Sequence, residues 1–166
     1  MPRLSQKIAE ALNEQINVEL ASAYTYLAMS AYCREQNLPG AANWLRLQWE
    51  EELGHATKLM DYMAERGGRV TLKAIAEPAA GFKGLLDVFR QVLKHEQAVT
   101  GAIYKIYDLA VAEQDYAAQT LLQWYVNEQV EEENSAEEVI RMLEMAGETG
   151  PGLLMVDRRL AERARE

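Results

Sequence analysis

The chain has 166 residues, of which 49% are hydrophobic and 26% charged, with a net charge of -9. That length fits one domain, residues 1–166, able to bury about two-thirds of its unfolded surface, and the composition excludes a disordered polymer. The acidity excludes nucleic acid and anionic membrane as main partners and suits a protein that attracts cations.

A single cysteine, Cys33, cannot form an internal disulfide, which fits a reducing compartment. The first residues lack a signal-peptide core, and no apolar run approaches the ~18 residues of a membrane span. A cytoplasmic protein is expected.

A first helix is expected from about Ser5 to Gln36, with Ile8, Leu12, Ile16, Glu19, Ala23, Tyr26 and Ser30 on one stripe. Ser5 is its expected N-cap, and Asn37-Leu38-Pro39-Gly40 reads as a turn. So short a link favours an antiparallel neighbour. The second helix, about Ala41 to Arg66, carries Leu45, Gln48, Glu52, His55 and Leu59 on its stripe, and Gly67-Gly68 stops it.

From Arg69 to about Lys83 the pattern is extended and contains Pro78 and Gly81. About 16 residues at ~3.3 Å each span ~50 Å, enough to run back along a helix of ~39 Å. The third helix can therefore run parallel to the second. It is expected over about Gly84 to Ala112, with Phe89, Val92, Glu96, Val99 and Ile103 aligned. The fourth, about Tyr116 to Ala146 with Asp115 as N-cap, aligns Tyr125, Gln129, Glu132, Ala136 and Val139. Gly147 to Gly152 reads as a break, and about 153–163 as a short helix that must pack on the bundle or on another subunit.

The fold class that follows is all-α: a four-helix bundle with one long crossover connection and a short C-terminal fifth helix. Each long helix sets ligand-type residues into its own apolar stripe: Glu19, then Glu52 with His55, then Glu96, then Gln129 with Glu132. Unpaired carboxylates in a bundle core cost roughly several kcal/mol each. No Lys or Arg falls on the stripes except at helix ends, so bound cations offset that cost better than salt bridges would. Carboxylates with one imidazole suit iron, manganese or, less selectively, zinc; ligand softness does not choose between iron and manganese.

Leu12-Asn13-Glu14-Gln15-Ile16-Asn17-Val18-Glu19, Trp49-Glu50-Glu51-Glu52-Leu53-Gly54-His55, Lys94-His95-Glu96 and the run from Leu122 to Glu133 together resemble the prokaryotic non-haem ferritins over essentially the whole chain. The resemblance implies a ferritin-like bundle and a di-iron ferroxidase centre. Glu19 and His55 would hold one iron, Glu52 would bridge, Glu96 and Glu132 would hold the second, and Gln129 would lie beside them. Glu51, Glu128 and Glu131 match the acids of a third, cavity-side iron site in some of these proteins. Tyr26 matches a tyrosine next to the centre that can give a hydrogen bond or an electron, and Trp124 another residue near it.

The same resemblance implies the partners: Fe(II), oxygen or hydrogen peroxide, and copies of the chain forming a hollow shell of twenty-four subunits, in which the last helix meets its symmetry mates. Haem is not expected, because Leu53 occupies the position that is methionine in bacterioferritins. His95, next to Glu96, points about 100° away and reads as a surface histidine or a support behind the ligands. Cys33 and the methionines read as core filler. Two other readings fit the same bundle: a di-iron or di-manganese peroxidase or oxygenase, and a purely structural helical protein. A second histidine on the fourth helix would favour the first of these, but Gln129 stands there.

Overall fold

The computed structural model describes residues 3–164, and within them the elements are helical: α1 (Gln6–Glu35), α2 (Pro39–Glu65), α3 (Leu85–Ala112), α4 (Tyr116–Ala146) and α5 (Gly150–Ala161). The expected caps form. The Ser5 hydroxyl accepts from Ile8 N, and the Asp115 carboxylate accepts from Ala118 N. Each satisfies an amide that the first turn of a helix leaves without a partner.

Two helices begin earlier than the sequence suggests. α2 starts at Pro39 instead of Ala41, and α5 at Gly150 instead of Leu153. In both cases a proline read as a helix breaker sits in the first turn, where its missing N–H costs nothing and its fixed φ suits a helix. The α1–α2 turn is correspondingly tighter and uses Asn37 at φ 57°, a conformation asparagine tolerates better than most residues.

α1 packs against α2 and α3 against α4 as two hairpins. α3 runs antiparallel to α1: Ser5 near the start of α1 donates to Glu113 just past the end of α3, while Tyr26 and Ser22 meet Glu96 and His95 midway. α3 is therefore parallel to α2, as the long connection allows.

That connection, extended from Arg69 onward, is tied along α1 by two asparagines one helical turn apart. Asn13 Nδ2 donates to Arg69 O (2.8 Å) and Asn13 Oδ1 accepts from Thr71 N (2.7 Å). Asn17 repeats the pattern on Thr71 O (3.0 Å) and Lys73 N (2.7 Å). The two amides act as a surrogate strand, satisfying the crossover's backbone.

The core falls into two apolar clusters. One, toward the α1–α2 turn, contains Tyr26, Leu45, Phe89, Val139 and Leu160; the other contains Ile8, Leu12, Leu59, Ile103 and Leu122. The polar residues of the four stripes lie between them in sequence on every helix, all buried. α2 and α4 approach each other here through long side chains, Gln48 to Glu132 and Tyr125 to the carbonyl of His55.

α5 closes one end against α2 and α4. A Cβ on Gly40 would lie 1.8 Å from the carbonyl oxygen of Asp157, so only glycine permits this crossing. Leu38, at the N-cap position of α2, offers no side-chain hydrogen bond. The Asp157 carboxylate supplies the cap from outside, accepting from Gly40 N (3.1 Å) and Ala41 N (2.8 Å).

Candidate metal centre

Four mid-helix carboxylates, at most 7% exposed, define the layer: Glu19 (α1), Glu52 (α2), Glu96 (α3) and Glu132 (α4). Among the described residues none of them forms an ion pair with Lys or Arg. Glu19 Oε1 accepts from Gln15 Nε2 at 2.8 Å, whereas Glu19 Oε2 is buried and has no hydrogen-bond partner. A buried carboxylate oxygen without a partner is costly, and a cation would remove that cost.

Glu52 and His55, one turn apart on α2, point into the same space, with His55 Nδ1 3.8 Å from Glu52 Oε2. One ligand atom each from Glu19, Glu52 and His55 lie within 4.8 Å of one another. A second such triad is His55, Glu128 and Glu132, with His55 Nε2 3.8 Å from Glu128 Oε2. His55 thus belongs to both triads through its two ring nitrogens.

Glu96 belongs to neither triad. It accepts from Tyr26 Oη and, at 3.1 Å, from Gln129 Nε2, which also reaches the carbonyl of Glu96 at 3.2 Å. Its charge nonetheless acts on Glu19, Glu52 and Glu132.

Burial pushes the carboxyls of Glu19, Glu52 and Glu132 upward, and the charge of Glu96 adds to it at all three, while the Gln15 amide works against it at Glu19 and the Gln48 amide at Glu132. Glu19 and Glu52 act on each other across the same space, and the charge of Glu19 helps to raise Glu52. His55 moves oppositely: burial, then the charge of Lys58, lowers it to about 4, which leaves a neutral imidazole with a lone pair on one ring nitrogen for a cation. Tyr26 is raised well above the ordinary phenol value by burial and then by Glu96, so it stays a donor.

Around the ligands, Tyr125 Oη donates to the carbonyl of His55 at 2.7 Å and fixes the helix there. Trp124 stands edge-on to His55 (5.4 Å) under the Lys58 ammonium (3.7 Å), an aromatic anchor between imidazole and solvent. His95 is a support behind the ligands: its Nε2 lies 2.6 Å from Ser22 Oγ, and its ring meets the edge of Tyr26.

Of the three acids matched to a further site, Glu128 joins the second triad and Glu51, next to Glu52 in sequence, is half-buried and joins neither. Glu131 is exposed and joins neither triad.

A basic residue from outside the four stripes reaches Glu51. Arg163, past the end of α5, donates to Glu51 Oε2 (2.6 Å) and Gln48 Oε1 (2.9 Å). It was invisible because it lies outside the four helical stripes. Gln48, fully buried, donates to Glu132 Oε2 at 2.5 Å. Gln15 precedes Glu19 by four residues on α1, and that spacing is the signal from which its support could have been inferred; Gln48 reaches across to α4, which no local spacing announces.

Four long helices in two hairpins, joined by a crossover and enclosing carboxylates from every helix plus one imidazole, define a metal-binding helical-bundle protein. The Ferritin-like domain family matches residues 9–146, and the chain belongs to that family. It is 40% identical to the bacterial non-heme ferritin of Campylobacter jejuni, over 93% of this chain and 92% of that protein. It is 38% identical to the bacterial non-heme ferritin of Escherichia coli O6:H1, over 95% and 96%. In structure it is similar to an open-pore ferritin from the archaeon Archaeoglobus fulgidus, with a TM-score of 0.95 and 46% identity, covering 97% of this chain and 99% of that one.

Proposed function

We propose that the protein, a single domain over residues 1–166, is an iron-storage ferritin with an intrasubunit ferroxidase centre. The observation that carries the reading is the buried, unpartnered Glu19 Oε2 beside Glu52 and His55. Fe(II) is the substrate. Glu19 and His55 take one Fe(II), Glu96 and Glu132 the other, and Glu52 bridges them.

What the chain contributes is position and proton control. Two Fe(II) held a few ångströms apart can each give one electron, reducing oxygen with two protons to hydrogen peroxide, or hydrogen peroxide with two protons to water. The carboxyls raised by burial release their protons as the cations arrive. Gln129 and Tyr26 hold Glu96 from opposite helices and set its oxygens for the second cation.

Storage needs a cavity, which one bundle lacks. The ferritin relatives support an assembly of copies, and we place twenty-four of them in a hollow shell, with the exposed Leu154 and Met155 of α5 among its subunit contacts. No helix among the described residues is long and apolar enough to cross a membrane, and we place the protein in the cytoplasm.

Oxygen consumption and ferric absorbance after Fe(II) addition test the reading. The native protein oxidises Fe(II) rapidly, and Glu52→Ala slows the initial phase by about 100-fold or more, the order lost when a positioning group goes. A native protein that does not oxidise Fe(II), or that stops at two iron ions per chain during aerobic loading, would sink it. The second outcome would favour a di-iron peroxidase or oxygenase.

A further inference from the structure

Arg163 lies beyond the last residue of α5 and is held by side-chain contacts. Its guanidinium sits 4.3 Å over the Trp44 ring and donates to Trp44 O, Gln48 Oε1 and Glu51 Oε2. The Arg163 and Glu51 side chains are only 19% and 25% exposed, so solvent screens the pair less than an ordinary surface bridge.

A guanidinium can only donate. The Gln48 amide must therefore turn its oxygen to Arg163, which leaves its nitrogen facing Glu132 at 2.5 Å. One cation from the chain end thus both occupies Glu51 and sets the orientation of a buried amide that contacts a proposed iron ligand. A divalent cation on the same Glu51 oxygen would face a full positive charge within hydrogen-bond distance, so the two exclude each other.

We propose that Arg163 is a positioning residue that competes with iron for Glu51: it fixes Gln48 against Glu132, and Glu51 accepts a cation only when the segment after α5 is displaced. This rests on the iron-binding reading of the centre. The order in which irons bind is then set partly by the chain end, with the inner pair filled first and Glu51 withheld until Arg163 leaves.

The test is an anaerobic calorimetric titration of the full-length, assembled protein with Fe(II). Arg163→Met keeps a long apolar stem over Trp44 and removes the charge; it should bind about one more Fe(II) per chain than the native protein. Adding Glu51→Gln to that variant should abolish the gain, and Arg163→Lys, which keeps the charge, should restore the native count. An unchanged count in R163M, a gain that persists in R163M/E51Q, or an equal gain in R163K overturns the proposal. Glu52→Ala in the native background reports separately on the centre: if it leaves the count unchanged, the iron-binding reading is wrong whatever Arg163 does.

Discussion

Glu96 and Glu132, with the Gln129 amide between α3 and α4, offer a cation oxygen donors, whereas the cation of Glu19 also meets the His55 imidazole. Imidazole binds first-row transition metals more firmly than a carboxamide does. On the proposed assignment, the second Fe(II) would be held more weakly and would leave more readily after oxidation. Gln129→His should slow transfer of iron from the centre to the mineral while leaving initial oxidation fast. Stopped-flow absorbance separates the two phases, and an unchanged transfer rate would refute the idea. Of the buried polar layer, Glu19, Glu52, His55, Glu96 and Glu132 were legible because each interrupts an apolar stripe at mid-helix. Arg163 was not, because its partners lie more than 100 residues away and no local period links them.

At the scale of elements, most boundaries followed from caps and periodicity: α4 spans Tyr116–Ala146 and Ser5 caps α1, as expected. Pro39 and Pro151 misled because a proline marks a break and a first turn equally well. The hold of Asn13 and Asn17 on the crossover was illegible, since an asparagine facing out of a helix carries no sign of the strand it will bind. α5 depends on Asp157, which joins two elements and ends the α2 backbone. Asp157→Ala would strip two buried amides of their acceptor, a loss of roughly 1–3 kcal/mol. The denaturation midpoint of the assembled protein should fall accordingly, and amide exchange at Gly40 and Ala41 should accelerate. Protection equal to the native protein's at those two amides would count against the cap.

For the whole molecule, the centre links stability to pH. Glu19, Glu52 and Glu132 are raised above the ordinary value of 4.5, so the metal-free fold binds more protons than the unfolded chain above that pH. Their contribution is present at low pH and declines as pH rises. His55, lowered to about 4 from 6.5, acts in reverse: its contribution is complete above 6.5 and is lost as pH falls through about 4. Above pH 6.5 the His55 contribution is complete, so the metal-free protein should lose thermal stability as pH rises further through the raised carboxyl values. A redox-inert divalent cation such as Zn(II) should restore it, more strongly at pH 8 than at 6.5, with proton release on binding. Scanning calorimetry with and without Zn(II) checks the sign; a metal-free stability that climbs over that interval would contradict it.

The division of the core into two apolar clusters has a further consequence, for cooperativity. Without a cation, the layer between Leu12 and Leu59 on one side and Leu45 and Phe89 on the other is joined by amide and phenol hydrogen bonds to carboxyls, a weaker coupling than continuous apolar packing. Cargo that bridges Glu19, Glu52, Glu96 and Glu132 ties all four helices at the level where the two half-cores meet. An empty subunit can then open one half at a time, while a loaded one must open as a whole. On the proposed reading, the substrate would act as a transient part of the scaffold, and each departure of iron toward the store would return the bundle to a looser, two-part state.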